Sequence, residues 1–175
     1  MKKNNIILIG FMGCGKTSVG HLLSRILQYH FIDTDSRIEE KEKRTIKEIF
    51  ATDGESVFRQ METECIKDLL REENQVPMII SVGGGLVLKK ENQELLKELG
   101  TVIFLDASDD TLYERLKQDT SRPLLQTENP KERISSLLLE RKPIYEESST
   151  IIIDVNNSSI LKSANEIIDV LGLKK

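Results

Sequence analysis

A glycine-rich segment near the start of the chain limits the possible folds more than any other feature. Residues 10–17 read Gly-Phe-Met-Gly-Cys-Gly-Lys-Thr and follow the apolar run Ile6–Ile9. This is the P-loop pattern, in which a strand leads through glycines into a helix. Glycines let backbone N–H groups point at phosphate oxygens, where the helix N-terminus adds positive charge. Lys16 can then reach the β and γ phosphates, and the Thr17 hydroxyl suits Mg²⁺. The pattern predicts binding of a magnesium nucleoside triphosphate.

Length and composition narrow the classes further. At 175 residues the chain is long enough to bury the core of one domain, residues 1–175. The formal net charge of −4 argues against a nucleic-acid partner. Cys14 and Cys65 have no CxxC spacing, so they predict neither a zinc site nor a disulfide framework. Glycines interrupt the first apolar run, which argues against a signal peptide or membrane segment. We therefore expect a cytoplasmic protein.

Apolar runs and helical patterns alternate along the rest of the chain. Short β-branched runs predict further strands at residues 31–32, 78–82, 102–105 and 151–153. Apolar stripes at helical spacing predict helices within residues 19–27, 57–69, 112–117, 134–141 and 160–171, and a short helical turn at 45–50. This alternation predicts a three-layer α/β fold with a parallel five-stranded sheet. The residues alone leave the strand order open.

Aspartates follow two of the predicted strands. By strand alternation Asp33 and Asp35 leave the backbone on the same side, at the sheet edge where open α/β folds bind ligands. They could hold metal-bound water and a substrate hydroxyl. The alternative is helix capping, by Asp35 or by Ser36 with Glu39. Asp106 ends the fourth strand as a Walker B acid does, so the residues leave open whether Asp33 or Asp106 serves a metal.

Other segments carry weaker signals. Gly83-Gly84-Gly85 follows the third strand and predicts close approach of the backbone to a ligand. Residues 118–130 are polar, aperiodic and contain two prolines, which favours a mobile lid. Arg59 and Glu62 lie three residues apart on a helix, a spacing that usually marks a surface pair. His21 and His30 stand alone and predict structural or surface roles.

Several separated motifs together resemble one family, the shikimate kinases. They are the P-loop, Phe31-Ile32-Asp33-Thr34-Asp35, Ile49-Phe50 through Asp53-Gly54-Glu55 to Phe58-Arg59, Gly83-Gly84-Gly85, Arg122-Pro123-Leu124-Leu125 and Arg141-Lys142-Pro143-Ile144-Tyr145. A P-loop alone leaves many families open, whereas these motifs in this order and spacing leave essentially one. The resemblance implies a nucleoside monophosphate kinase-like fold with strand order 2-3-1-4-5. It also implies transfer of the γ-phosphoryl group of ATP to the 3-hydroxyl of shikimate.

The resemblance also implies roles for individual residues. On the acceptor side, the shikimate-binding residues are Asp35 and Arg59, in a shikimate-binding region of about 34–62. Gly83, Gly84 and Arg141, from later in the chain, also bind shikimate. On the nucleotide side, the ATP-binding residues are Gly13, Cys14, Gly15, Lys16, Thr17, Ser18, Arg115 and Arg122. Thr17 and, through water, Asp33 serve Mg²⁺. Lys16, Asp35 and Arg122 carry the catalytic roles, with Arg122 on a lid of about 118–130. We expect a monomer.

The chain departs from the family pattern in two places. Lys43 precedes Arg44, where the family more often has glycine, and residues 155–159 lack the basic residue that some members carry. The alternative function is another small-metabolite or nucleotide kinase of the same fold, whose arginines would receive a phosphate. A GTPase-like switch would need a guanine-reading Asn-Lys-x-Asp stretch, which the sequence does not contain.

Overall fold

A single parallel sheet forms the centre of the molecule. The computed structural model describes residues 4–72, 76–119 and 127–173. In these residues the sheet has five strands, β1 (Ile6–Ile9), β2 (His30–Asp33), β3 (Met78–Ser81), β4 (Thr101–Asp106) and β5 (Ile151–Asp154). Their order is β2-β3-β1-β4-β5. The predicted parallel sheet and the order implied by the resemblance are confirmed.

Helices connect the strands. They are α1 (Lys16–Leu27), α2 (Thr34–Glu42), α3 (Ile46–Thr52), α4 (Glu55–Arg71), α5 (Lys90–Leu99), α6 (Asp109–Leu116), α7 (Pro130–Ser148) and α8 (Ile160–Val170), with a short 3-10 turn at Leu86–Leu88. Helix α1 contacts β3, β2 and α8, and α4 packs against α2, α3 and α5. Among the described residues, no helix combines the length and apolar composition needed to span a bilayer.

The register of the sheet brings the functional segments to one edge. Leu8 of β1 pairs with Ser81 of β3, and Ser81 pairs in turn with Asp33 at the end of β2. The P-loop, the start of α2 and the glycine run therefore all leave the sheet at the carboxyl ends of neighbouring strands. The central strands β1 and β3 are fully buried, which explains their continuous apolar sequence.

Two helices escape the sequence prediction. Helix α2 buries only Thr34 and Ile38, so its sequence shows no apolar stripe. Its position also corrects the strand prediction, because β2 ends at Asp33 and Asp35 lies in the first turn of α2 instead of on an extended strand. Helix α5 begins after Lys89, which makes no side-chain cap. Without a capping residue, the sequence offers no start signal for this helix.

Helix α2 ends in a conformation that suits glycine. Lys43 has φ 55° and ψ 29°, in the left-handed region. This is where the family more often has glycine, which adopts the conformation without steric cost. The departure therefore affects a helix end, and Arg44 after it pairs with Asp53 at 2.7 Å.

The predicted lid overlaps the part of the chain that the structure leaves out. Residues 118–119 and 127–130 of the lid are described, and α7 begins at Pro130. Arg122 lies outside the described residues.

Candidate active site

The P-loop joins β1 to α1 with its lysine folded back over the loop. Gly15 precedes the helix with φ 103°, a conformation that favours glycine. Lys16 is the first residue of α1, and its Nζ donates to the carbonyl oxygens of Gly10 at 2.8 Å and Phe11 at 3.1 Å. The ammonium group is thus held by neutral carbonyl groups, which a phosphate anion can displace.

The next residue of α1 reaches the end of β2. The Thr17 hydroxyl donates to Asp33 Oδ2 at 3.2 Å. The other oxygen of Asp33 accepts from the backbone N–H groups of Asp35 at 3.1 Å and Ser36 at 3.2 Å. Asp33 is therefore the N-cap of α2, so the alternative of a cap at Asp35 or Ser36 is wrong. The same carboxylate contacts both the P-loop helix and α2.

Asp106 is engaged elsewhere. Lys142 of α7 donates to Asp106 Oδ2 at 2.7 Å. The acid that contacts the Thr17 hydroxyl is Asp33, at the end of β2. Thr17 contacts Asp33 and not Asp106 because α1 packs over β3 and β2, on the side of the sheet away from β4. Of the two open alternatives, the geometry favours Asp33 as the acid beside a bound metal.

The glycine run after β3 lets polar side chains crowd its backbone. A Cβ atom added to Gly83 would lie 2.6 Å from Asp35 Oδ1 and 3.0 Å from Glu62 Oε1. One added to Gly85 would lie 2.6 Å from the Arg59 guanidinium nitrogens. Any side chain here would displace these groups, so the glycines make room for groups of the protein itself. The predicted close approach to a ligand stays a prediction. Asp35, Arg59 and Glu62 meet at this segment.

Arg59 is held by a buried carboxylate. Its Nη1 donates to Glu62 Oε2 at 2.7 Å, and its Nη2 donates to the exposed Glu55 at 3.0 Å. The Glu62 side chain is only 1% exposed and that of Arg59 is 23% exposed. The prediction of an ordinary surface pair is therefore wrong. Burial raises the pKa of Glu62 to about 7, Arg59 opposes the rise, and the Asp35 charge adds to it.

Helix α7 supplies a second arginine and a tyrosine to the same region. Arg141 is buried, and its Cζ lies 5.9 Å from the ring centroid of Phe11 in the P-loop. The Tyr145 hydroxyl donates to the Gly84 carbonyl oxygen at 2.6 Å. Burial raises the pKa of Tyr145, whereas the neighbouring Arg141 lowers it. Sequence reasoning missed the roles of Tyr145 and Glu62, although Tyr145 ends one of the motifs.

Arg115 ties the P-loop to the segment after β5. Its Nη1 donates to the carbonyl oxygens of Gly13 at 3.4 Å and Cys14 at 3.2 Å, and its Nη2 donates to that of Val155 at 2.9 Å. Asn156 accepts from the backbone N–H of Ser108 at 2.7 Å. Arg115, an expected ATP-binding residue, thus lies beside both the P-loop and the segment after β5.

The remaining predicted residues lie on the same loop or outside the site. Cys14 is buried, with its Sγ 3.8 Å from Lys16 Nζ, and Ser18 is exposed in the first turn of α1. His21 and His30 are exposed, and the His21 ring lies 3.9 Å from that of Phe31. Neither histidine joins the cluster around the glycine run.

The donors available for a metal fit Mg²⁺ bound together with a nucleotide. Thr17 and Asp33 offer hard oxygen atoms 3.2 Å apart. Within the described residues, no group of three His, Cys, Asp or Glu side chains could hold a metal ion. An ion here would take its other ligands from phosphate oxygens and water, as Mg²⁺ commonly does.

A P-loop at the end of β1, beside a polar cluster on the same sheet edge, defines a P-loop phosphotransferase. A family model described as shikimate kinase matches residues 12–172. A shikimate kinase of Thermodesulfovibrio yellowstonii is 50% identical over 148 residues, which are 85% of this chain and 84% of that protein. A shikimate kinase of Trichormus variabilis is 42% identical over 95% of this chain and 90% of that protein. The chain belongs to the shikimate kinase family.

Solved structures agree in fold. The shikimate kinase from Acinetobacter baumannii in complex with shikimate has a TM-score of 0.89 and 36% sequence identity, covering 97% of this chain and 93% of that chain. A gluconokinase from Sinorhizobium meliloti 1021 has a TM-score of 0.58 and 17% identity, so this likeness concerns the fold alone.

Proposed function

We propose that this kinase transfers the γ-phosphoryl group of ATP to the 3-hydroxyl of shikimate, giving shikimate 3-phosphate and ADP. Family membership supports this function. The observation that carries it is the meeting of Asp35, Arg59 and Glu62 at the glycine run, on the sheet edge that also bears the P-loop. Phosphoryl transfer needs such an arrangement, because its catalysis depends mainly on alignment and charge stabilisation.

On the nucleotide side, Lys16 leaves its two carbonyl partners for the β and γ phosphates. The loop N–H groups bind the phosphate oxygens, as in other P-loop proteins. Thr17 and, through water, Asp33 hold Mg²⁺, which neutralises the charge on the phosphates when it is bound. Arg115 borders the adenine. Arg122 is assigned to the γ-phosphate by family resemblance only.

On the acceptor side, Arg59 and Arg141 bind the shikimate carboxylate, and Asp35 with the backbone of Gly83 and Gly84 binds its hydroxyl groups. Guanidinium groups pair with a carboxylate in a planar, bidentate manner, which sets the orientation of the ring. Asp35 orients the attacking hydroxyl. With a loose transition state the proton leaves late, so Asp35 acts first as a substrate anchor and only secondarily as a general base.

An ADP-release assay with shikimate, ATP and Mg²⁺ tests the function directly. We expect turnover with shikimate, and little with gluconate, other polyols or nucleoside monophosphates. Shikimate methyl ester keeps every hydroxyl but removes the anion, so we expect it to be a poor substrate. Efficient use of a phosphorylated acceptor in place of shikimate would favour the alternative, in which the arginines receive a phosphate. Equal use of the ester and the acid would contradict the carboxylate clamp.

We propose one domain spanning 1–175, acting as a cytoplasmic monomer without a nucleic-acid partner. The net charge of −4 supports the last point. Light scattering coupled to size-exclusion chromatography tests the oligomeric state, and a mass near 19.9 kDa is expected for a monomer.

A further inference from the structure

Glu62 is a buried carboxyl group that phosphoryl transfer does not itself require. It lies in the middle of α4, and its side chain is only 1% exposed. One oxygen, Oε2, accepts from Arg59 at 2.7 Å. The other, Oε1, is buried and has no hydrogen-bond partner among the described residues. A buried, ionised oxygen without a donor is costly, so the site favours the protonated form more than solvent does.

The unpartnered Oε1 of Glu62 and the carboxyl group of Asp35 both lie close to Gly83. The position of a Cβ on Gly83 lies 3.0 Å from Glu62 Oε1 and 2.6 Å from Asp35 Oδ1. Gly83, Gly84 and Gly85 have no ionisable side chain, so this segment supplies no charge between the two acids. Two carboxylates on one site repel each other, which further disfavours the ionised form of one of them.

The charged groups around Glu62 come from several elements. Arg59 and Glu55 lie on its own helix α4, and Asp35 lies on α2. Lys89, before α5, donates to Thr63 at 3.1 Å and pairs with Glu91 at 2.7 Å. Arg59 is therefore the cation paired directly with Glu62, and its guanidinium is already shared with Glu55.

We propose that Glu62 takes up one proton when shikimate binds. This inference rests on the proposed function. The carboxylate of shikimate adds a negative charge and draws Arg59 partly away from Glu62. Both effects favour the neutral carboxyl group. The proton comes from the buffer and forms an O–H bond on Glu62, which keeps the net charge of the cluster unchanged on binding.

The sign of the pH dependence follows from the free protein. Burial raises the pKa of Glu62 to about 7, so the group is mostly protonated at pH 6 before any ligand arrives. At pH 8 it is about nine-tenths ionised, and binding can then take up close to one proton. The affinity for shikimate should therefore be nearly constant below pH 6.5 and should fall as the pH rises above 7.

Isothermal titration calorimetry of shikimate into the protein, in buffers of different ionisation enthalpy, counts the protons. We expect an uptake of about 0.5–1 proton at pH 8 and close to zero at pH 6. Glu62→Gln resembles the protonated form, so it should abolish both the uptake and the fall in shikimate affinity above pH 7, and should leave the KM for ATP unchanged. Glu55→Gln is the matched control, since it removes the exposed partner of Arg59 and should keep the uptake.

The outcomes are distinguishable. Shikimate binding with the same heat in every buffer at pH 8 overturns the inference while leaving the proposed function intact. Undiminished uptake in Glu62→Gln also overturns it. No binding of shikimate overturns the proposed function and the inference with it. If Glu62→Gln does not fold, the wild-type comparison of pH 6 with pH 8 decides, because uptake that does not increase with pH contradicts a group with this titration.

Discussion

The proposed site has a phosphate side, formed by the P-loop with Lys16, and an acceptor side, formed by Asp35, Arg59 and Glu62 at the glycine run. The two sides hold their cations in different ways. On the phosphate side, Lys16 is bound by the neutral carbonyl groups of Gly10 and Phe11. On the acceptor side, Arg59 is bound by the carboxylates of Glu62 and Glu55. A phosphate therefore competes with dipoles for Lys16, whereas a carboxylate substrate competes with full charges for Arg59.

This difference predicts that the phosphate side selects little among anionic phosphates, whereas the acceptor side selects its ligand by geometry. Any anionic phosphate can replace carbonyl groups, since charge-assisted hydrogen bonds are stronger than neutral ones. A ligand that displaces a buried carboxylate from a guanidinium must match its planar geometry and position. The phosphate side should therefore respond mainly to loss of charge, and the acceptor side to loss of geometry.

Removing the charge of Lys16 should have the largest effect. Lys16→Met is expected to lower kcat by more than about a hundredfold, because it removes positive charge from the transferring phosphoryl group. Thermal unfolding should be unchanged, since the lost partners are two loop carbonyls. Lys90→Met, which removes a surface pair with Glu147, should keep normal turnover. Near-normal turnover of Lys16→Met would contradict the assignment of residues 10–17 as a phosphate-binding P-loop.

Conservative changes on the acceptor side should cost less but remain large. Arg59→Lys and Arg141→Lys keep the charge and lose the planar fork, so kcat/KM for shikimate should fall by about tenfold or more. The KM for ATP should stay nearly constant. Arg44→Lys alters an exposed pair with Asp53 and serves as the control. If both site variants keep their KM for shikimate, charge alone binds the acceptor and the contrast fails.

The two aspartates at strand ends should differ in their effect on magnesium. Asp33→Asn removes a charge beside Thr17 and should raise the Mg²⁺ concentration for half-maximal activity several-fold, in keeping with loss of one charged contact. Asp106→Asn alters a pair with Lys142 and should change it less. The opposite ranking in a magnesium titration of kcat would restore the Walker B interpretation of Asp106.

Tyr145 tests whether the acceptor side depends on backbone geometry. Tyr145→Phe removes the hydrogen bond to the Gly84 carbonyl oxygen, at a cost of about 1 kcal/mol, so the KM for shikimate should rise about fivefold. The KM for ATP should not change. Tyr113→Phe is the matched control, because Tyr113 lies on α6 with its ring 5.9 Å from Lys131 Nζ. An unchanged KM for shikimate in Tyr145→Phe would show that the bond is structural.

The smallest effect is expected from Lys43, which belongs to neither the phosphate side nor the acceptor side. Lys43→Gly relieves a left-handed backbone at the end of α2 and should increase the free energy of unfolding by about 0.5–1 kcal/mol. Urea denaturation measures this change. Both KM values should stay at the wild-type level. A change in the KM for shikimate would mean that the acceptor side is sensitive to the stability of α2 as a whole.

The sequence predicts the phosphate side better than the acceptor side, because residues that are adjacent in sequence form the phosphate side. The P-loop, its strand and its helix are contiguous, so spacing alone indicates their geometry. The burial of Glu62 depends on packing against Gly83, a contact between distant segments that helical spacing does not report. The same spacing therefore predicted a surface pair. The family resemblance, not the pattern, assigned Arg59 to the acceptor.

The misplacement of Asp35 on a strand, and the choice that the residues leave open between Asp33 and Asp106, have a similar physical origin. Alternation predicts Asp35 on a strand, but the chain enters α2 directly after Asp33 because Asp33 caps that helix. Which aspartate lies beside Thr17 depends on the direction in which α1 crosses the sheet, and single-strand patterns do not contain that direction. The strands themselves were predictable, since a buried parallel sheet requires continuous apolar runs.

The position of Asp33 connects the P-loop helix α1 to the first turn of α2. One of its oxygens contacts Thr17, and the other caps the helix that carries Asp35. A change in the orientation of this carboxylate on metal–nucleotide binding would turn the first turn of α2 as well. ATP and shikimate should then bind cooperatively, and such coupling is reciprocal, so each ligand changes the dissociation constant of the other by the same factor.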